Sequence, residues 1–252
     1  MGGMNAPNKP TWNRDYPYED LYEYTSYQVT VKVADTRFSI FPNHRDAYYY
    51  WRKLRHNLHR YGCELVEYMT MRSHLHFLAV TNQGLEPLVK AIRATNVSYS
   101  MRLRYYAKHP RPYKDREDHS LIDHLRQFPE STVFQKNNCY IPITGFSQLL
   151  AEMRYIKRNP ERANLKNGDC FISSRREYKD NYFEFMDIYA ATRIAKLFSM
   201  TPQNLHQYLM VDDDIWIEQR NKLIPADVSQ ELQIFKVSNA KFPLCTFEPP
   251  NE

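Results

Sequence analysis

Two short segments of this chain carry side chains that could hold a divalent cation beside a nucleophile. The first, M-R-S-H-L-H-F-L at residues 71–78, contains His74 and His76. The second, Y-I-K-R-N-P at residues 155–160, contains Tyr155 and Asn159. Imidazole nitrogens and amide oxygens bind divalent ions, and a phenol beside such an ion can act as a nucleophile. The two segments together predict a metal-assisted reaction, although neither would support that prediction alone.

The first segment is predicted to lie on a β-strand, at residues 73–81. Alternation along the strand places His74 and His76 on one face, with Leu75 and Phe77 on the other. The two histidine Cα atoms would then lie about 6.5–7 Å apart, close enough for both imidazoles to bind one ion. The alternative is an incidental pair, since the chain contains nine histidines.

The second segment is predicted to end a helix at residues 146–158. Its expected buried face is formed by Leu149, Met153 and Ile156. The helix should end near Asn159, because Pro160 disfavours helical geometry in the residue before it. Tyr155 and Asn159 are four residues apart, so their side chains share a helix face about 5–6 Å apart. A mixed imidazole and amide site suits Mg²⁺ or Mn²⁺. The alternative for Tyr155 is simple packing, as one of 20 tyrosines.

The other periodic patterns predict an α+β fold. Alternating residues predict strands at 27–33 and 63–69, the latter paired with 73–81, and β-favouring residues lie at 132–144. Helices are predicted at 46–61, where Gly62 ends the helix, at 85–107, and at 120–128 within an insertion spanning 108–130. We expect an antiparallel sheet with its helices packed to one side. The six glycines form no phosphate-binding loop, which argues against nucleotide-binding folds.

Charge and composition favour a polyanion as the binding partner. The net charge is +5 over 252 residues, but residues 1–180 carry +9 and residues 181–252 carry −4. A basic surface binds phosphates with release of counterions, although a merely solvated basic surface is the alternative. Apolar runs are too short to span a membrane. The four cysteines form no C-x-x-C pair, so we expect reduced thiols in a cytoplasmic protein.

The two segments resemble the motifs of the HUH single-tyrosine transposases, and most closely those of the REP-associated tyrosine transposases. The histidine motif of that family commonly reads M-P-N-H-[VI]-H-L-L, and its nucleophile helix Y-I-x-x-N-P-V-x-A-G. Residues 133–136 (V-F-Q-K) resemble the family's L-W-Q-x stretch, and residues 27–30 resemble its first strand. The resemblance covers about residues 27–178. The chain departs from the family at Arg72-Ser73, at the longer 108–130 insertion, and after Asn159-Pro160, where Val and Gly are missing.

The resemblance implies a fold, a site and a reaction. The fold would be a ferredoxin- or RRM-like HUH endonuclease domain at residues 25–180, with an arm at 1–24 and a helical C-terminal extension at 181–252. His74, His76 and Asn159 would bind Mg²⁺ or Mn²⁺. Tyr155 would attack single-stranded DNA, often next to a hairpin, and give a 5′-phosphotyrosine and a free 3′-hydroxyl. The family includes sites built within one chain and sites shared in a homodimer, so both a monomer and a homodimer remain open.

Basic residues on the two long helices are candidate contacts to the DNA backbone. They are Arg154, Lys157, Arg158 and Arg162 around the nucleophile, and Arg93, Arg102 and Arg104 on the preceding helix. Such contacts position a strand but carry little sequence information. Aromatic residues 48–51 could stack on bases, although their helical spacing favours core packing for Tyr50 and Trp51.

Residues 194–209 resemble a helix-turn-helix, with Ser199 in place of the usual turn glycine. Leu205 and Leu209 would face inward, and candidate base-reading residues are Gln203, Asn204, His206 and Gln207. The alternative is a helical packing element, because the region is acidic. For the whole chain, the alternatives to a transposase are a relaxase-type or replication-initiator nickase and a non-catalytic DNA-binding regulator.

Overall fold

The computed structural model describes residues 25–110, 118–162, 172–212 and 216. A four-stranded antiparallel sheet lies at its centre, in the order β2-β3-β1-β4. The strands are β1 (Thr25–Lys32), β2 (Cys63–Thr70), β3 (His74–Thr81) and β4 (Cys139–Pro142). The helices are α1 (His44–Arg60), α2 (Leu85–Lys108), α3 (Ser120–Gln127), α4 (Phe146–Arg162), α5 (Ser174–Asp180), α6 (Ile188–Leu197) and α7 (Pro202–Met210). The predicted α+β class and antiparallel sheet are confirmed.

One face of the sheet packs against α1 and α2. Alternate residues of the strands, among them Val29, Leu75 and Phe77, enter this core together with Trp51 of α1. The Trp51 indole also donates a hydrogen bond to the Thr70 hydroxyl at 2.8 Å, which fixes α1 against β2. Tyr50 and Trp51 are fully buried, which confirms the packing role expected from their helical spacing.

The opposite face packs against α4, α6 and α7. Here Leu78 and Val80 of β3 join Met153 and Ile156 of α4 in a second apolar cluster. The expectation that the helices pack to one side of the sheet is therefore wrong. Both faces of β2 and β3 are covered, and every residue of β2 is buried. Alternating polar and apolar residues are typical of a strand with one solvent-facing side, so the polar residues of these strands gave no sign of a second helical layer.

Helix α4 continues through Pro160 to Arg162, beyond the predicted end near Asn159. Proline has no backbone N–H and removes one hydrogen bond of the helix, which costs about 3 kcal/mol in a helix interior. The hydrogen bond that is lost is the one to the Ile156 carbonyl, and only two helical residues follow Pro160, so the disruption is confined to the last turn. The preference of the residue before proline is therefore overridden here, and Asn159 lies within the helix.

Helices α6 and α7 form the helix pair expected from the C-terminal pattern. The turn between them contains Ser199 with φ +56°, a left-handed conformation that glycine adopts more readily. Leu205 and Leu209 are buried, as predicted. The pair packs against β2 and α4, so it is part of the second helical layer. Within the described residues, no helix is long and apolar enough to cross a membrane. The predicted arm at 1–24 lies outside the described residues, as do the regions 163–171 and 217–252.

Candidate active site

Strand β3 brings His74 and His76 together at its beginning, on the face covered by α4. Their ring centroids lie 4.7 Å apart with the planes nearly perpendicular. Leu75 and Phe77 point into the opposite core, as the alternation predicts. The two imidazoles are therefore close enough to share one ligand, with His76 deeper in the protein than His74.

Residues of β1 hold the His76 ring from the side. Its Nδ1 lies 3.1 Å from the Gln28 amide nitrogen and 3.1 Å from the Thr30 hydroxyl. A 180° rotation of the Gln28 amide would let its Oε1 accept the Nδ1 proton; that oxygen is otherwise buried without a partner among the described residues. Nε2 would then keep its lone pair, the arrangement typical of metal-binding histidines.

Tyr155 of α4 contacts the same ring. The Tyr155 and His76 centroids lie 5.2 Å apart in an edge-to-face arrangement. Asn159 follows one helical turn later, so it extends from the same face of α4. Its side chain is buried, and its amide nitrogen has no hydrogen-bond partner within the described part of the chain. The predicted ligands and nucleophile thus come from β3 and α4, which pack against each other.

The donor atoms of this site fit a divalent cation. His76 Nε2 is a buried polar atom that makes no hydrogen bond to any described residue, and such an atom is costly without a partner. The Asn159 amide nitrogen is a second buried polar atom without a partner among the described residues, but it is a hydrogen-bond donor, so only the amide oxygen of Asn159 could bind a cation. In the described part of the chain, no three His, Cys, Asp or Glu side chains cluster as a metal site. Any ion held here would therefore depend on the two imidazoles and the amide.

Burial keeps both histidines neutral at physiological pH. It lowers the pKa of His74 to about 4 and that of His76 to about 3, with the charge of Lys32 acting in the same direction on both. A neutral imidazole has the free lone pair that metal binding requires, whereas an imidazolium does not. Burial therefore keeps both imidazoles in the neutral form that binds metal, without a carboxylate partner.

Acid should destabilise this fold through His76. The unfolded chain binds a proton to this histidine below about pH 6.5, whereas the folded protein resists protonation down to about pH 3. Stability that is fully present above pH 6.5 is therefore lost as the pH falls through that window. At pH 5 the loss from His76 is up to about 2 kcal/mol. Urea unfolding at pH 7 and pH 5 measures it.

The control compares two substitutions. His76→Gln should lose less stability than the wild type between pH 7 and pH 5, because the titrating group is gone. His56→Gln, at an exposed position on α1, should keep the wild-type loss. Equal losses in the wild type and in His76→Gln would contradict the lowered pKa of His76.

Two of the predicted DNA contacts are wrong, because their side chains are buried. Arg154 is 2% exposed, donates to the Leu209 carbonyl at 2.7 Å and stacks over Trp216. Lys157 is fully buried and forms an ion pair with Glu67 at 2.6 Å. Both cations join α4 to other parts of the protein and are not available to a phosphate backbone.

The predicted DNA contacts on α2 lie away from the histidines, and two of the three side chains already bond to other residues of the protein. Arg93, Arg102 and Arg104 belong to α2, on the opposite face of the sheet from His76. Arg102 pairs with Asp46 at 2.8 Å, and Arg104 donates to the Pro129 and Ser131 carbonyls. Arg93 is exposed and stays a prediction.

The remaining candidates lie on α4 and in the helix pair. Arg158 is half-buried and donates to the Val211 carbonyl at 3.2 Å. The Arg162 side chain lies outside the described residues. Gln203 and Asn204 are exposed at the start of α7, so their base-reading role stays a prediction. His206 is instead stacked on Tyr178 at 4.5 Å.

Several residues at the site were missed by sequence reasoning. Gln28 and Thr30 occupy the polar positions of an alternating strand, which is typical of a solvent-facing side, yet they are 1% and 5% exposed. Glu67 looks like an ordinary surface carboxylate in sequence but is fully buried. The pairing of β1 with β3, which places Thr30 opposite His76, brings these polar residues beside the histidines, and the sequence carried no signal of that pairing.

Comparison with known proteins gives a distant structural likeness. No protein-family model matches the chain, and no curated protein matches it. Among the solved structures that match is a REP-associated tyrosine transposase bound to a REP hairpin. The similarity covers 65% of this chain and 84% of that chain, with 12% sequence identity and a TM-score of 0.43. At this distance the likeness transfers no residue role.

Proposed function

We propose that this protein is a DNA-processing enzyme that nicks and rejoins single-stranded DNA, with Tyr155 as the nucleophile and Mg²⁺ or Mn²⁺ as the cofactor. The observation that carries the proposal is the contact between Tyr155 and His76, at 5.2 Å between centroids. These residues are 79 positions apart in the chain and are brought together by β3 and α4. The resemblance of both motifs to those of the HUH transposases supports the same reaction.

The reaction would exchange one phosphodiester for another. The Tyr155 phenol oxygen forms a bond to the scissile phosphorus, and the bond from phosphorus to the 3′-oxygen breaks. The leaving 3′-oxygen takes up a proton, and the phenol loses one. The product is a 5′-phosphotyrosine and a free 3′-hydroxyl, so a later attack by a 3′-hydroxyl can rejoin strands without an energy source.

Each side chain of the site has a defined part in this scheme. His74 and His76 would hold the cation through neutral imidazole nitrogens, and Asn159 would add its amide oxygen. A divalent cation, when bound, polarises the scissile phosphate and stabilises the charge that develops on it. Gln28 and Thr30 would fix the His76 ring so that Nε2 remains the donor. Burial of His76 keeps bulk water from competing for that donor.

Removal of the cation or of a ligand should abolish or slow strand cleavage. Labelled single-stranded oligonucleotides that tile imperfect palindromes around the gene are incubated with Mn²⁺ and separated on a denaturing gel. EDTA should remove the cleaved and covalent bands. His76→Ala should slow cleavage by about 10²–10³-fold, since metal stabilisation of the transition state is worth several kcal/mol.

Two controls make this experiment specific. His56→Ala removes an exposed imidazole from α1 and should cleave at the wild-type rate. Asn159→Asp keeps an oxygen ligand and should retain more activity than Asn159→Ala. Equal cleavage in EDTA and Mn²⁺ would contradict the cofactor. Tight DNA binding with no cleavage under any condition would instead support a non-catalytic DNA-binding regulator.

A further inference from the structure

A cavity of about 740 Å³ opens beside the candidate active site, where α4 ends against α5 and α7. Pockets that hold small ligands commonly have 300–1,000 Å³, so this cavity is large enough for one or two nucleotides. The lining residues that matter here are Met69, Pro160, Arg175, Arg176, Lys179 and His206. Of these residues, only His206 was among the sequence-predicted DNA contacts, as a candidate base-reading residue.

The cavity adjoins the histidine and tyrosine residues through two neighbours of site residues, Met69 and Pro160. Met69 on β2 is the direct cross-strand partner of His76 on β3, so the two side chains share a face of the sheet. Pro160 follows Asn159 on α4. Ser173, just before α5, forms a bridge with Met69 and places the start of α5 at this edge of the sheet. A strand that leaves the reacting phosphate along this edge would enter the cavity.

The lining is positively charged. Arg176 and Lys179 are exposed, and Arg175 is half-buried and donates to the Lys157 carbonyl at 3.4 Å. Of the described lining residues, one is a carboxylate, Asp180, which pairs with Arg176 at 3.4 Å. The three cations and one anion in this part of the lining leave an excess of positive charge suited to phosphates.

The wall formed by His206 is neutral and flat. Burial, with the nearby charges of Lys157 and Arg175, lowers the pKa of His206 to about 3. The ring lies parallel to Tyr178, with an interplanar angle of 11°. Met69 and Pro160 add apolar surface. A basic rim over a flat and partly apolar wall is the combination that single-strand sites use for phosphates and bases.

We propose that this cavity binds the one or two nucleotides of single-stranded DNA next to the scissile phosphate, with Arg176 and Lys179 contacting the phosphates. The proposal rests on the nicking function proposed above and adds the path of the strand. Arg175 anchors the wall to α4 and is left unchanged in the test.

The test measures DNA binding separately from cleavage. Full-length protein in EDTA is titrated against fluorescein-labelled dT20, and fluorescence anisotropy is recorded between 50 and 200 mM salt. Arg176→Ala/Lys179→Ala should weaken binding roughly 25-fold at 100 mM salt, since counterion release from each single-strand phosphate contact is worth about fivefold at that salt concentration. The slope of log K against log salt should become less steep by about 1.4, as expected for two lost single-strand contacts.

The matched control removes two exposed cations from the other helical layer. Arg60→Ala/Lys90→Ala gives the same change in net charge, and Lys90 belongs to an exposed i,i+4 ion pair with Glu86, like Arg176 with Asp180. This control should bind dT20 within about twofold of the wild type.

Three results would overturn the proposal. The first is an equal loss of dT20 affinity in the cavity variant and in the control variant. The second is a loss of affinity for a 20-base-pair duplex in the cavity variant that equals its loss for dT20. The third is no binding of dT20 by the wild type. Failure of this proposal can be distinguished from failure of the nicking function, because the binding measurement requires no cleavage. Selective loss of dT20 binding would support the cavity even if Tyr155 forms no adduct, and an adduct without that loss would support the nicking function alone.

Discussion

Tyr155→Phe is expected to eliminate the covalent protein–DNA adduct and to reduce strand cleavage by at least about 10⁴-fold. Loss of a nucleophile that forms a covalent intermediate has effects of this size or larger. The substitution removes one oxygen and keeps the ring that contacts His76 at 5.2 Å. Since loss of one hydroxyl hydrogen bond costs about 0.5–1.5 kcal/mol, the fold and single-strand binding should remain within about 1.5 kcal/mol of the wild type.

A matched tyrosine makes the result interpretable. Tyr189 is 57% exposed on α6, and Tyr189→Phe should form the adduct at the wild-type rate. Single-turnover rates with the same labelled oligonucleotide in Mn²⁺ provide the comparison. Adduct formation by Tyr155→Phe would show that another side chain is the nucleophile, and the assigned role of α4 would then be wrong.

The second large effect is expected on stability, from Lys157→Met. The Lys157 ammonium and the Glu67 carboxylate are 2.6 Å apart, and both side chains are fully buried. Loss of one partner leaves a buried carboxylate without its counter-charge, which costs about 3–5 kcal/mol. Ser174 and Tyr178 would still donate to the Glu67 carboxylate, at 2.5 and 3.1 Å. Because these hydrogen bonds remain, we expect a loss of stability near the lower end of that range. Urea unfolding at pH 7 measures the loss.

Double substitution separates the buried pair from other effects of Lys157. Lys157→Met/Glu67→Gln should recover most of the lost stability, because neither buried charge remains. Lys90→Met, which breaks an exposed ion pair with Glu86 at 2.7 Å, should change stability by less than about 1 kcal/mol. An unchanged stability in Lys157→Met, with weaker DNA binding, would restore the phosphate-binding role that burial argues against.

Local patterns were sufficient to predict the elements that position the candidate site. The alternation around His74 and His76 fixed their common face, and the helical spacing of Leu149, Met153 and Ile156 identified α4. Gly62 follows the end of α1 with φ +69°, as its position after the periodic pattern of that helix predicts. These predictions depend on neighbours close in sequence, so no knowledge of the tertiary arrangement was needed.

The charged residues on α4 could not be placed in the same way. Arg154 and Lys157 have the sequence context of surface cations beside a nucleophile. Their burial depends on the α6–α7 pair and on Glu67, which pack against α4 from distant parts of the chain. A charge is buried only where such partners compensate its lost hydration. Sequence spacing carries no information on partners of that kind.

The second helical layer was missed for a related reason. β2 reads as a mixture of polar and apolar residues, yet Glu64 and Glu67 are buried along with its apolar residues. Arg193 of α6 pairs with Glu64, and Lys157 of α4 pairs with Glu67. The polar positions of the strand therefore face a helical layer that compensates them and do not face solvent. The predicted boundary between residues 180 and 181 stays a prediction.

Mass spectrometry of the trapped adduct tests the central claim most directly. Wild-type protein is incubated with single-stranded DNA and Mn²⁺, the adduct is digested with nuclease and protease, and the modified peptide is sequenced. The proposal predicts a nucleotide attached through its 5′-phosphate to Tyr155, with a free 3′-hydroxyl on the released strand. A nucleotide attached to any other residue, or cleavage that leaves a 5′-phosphate without a protein link, would contradict it.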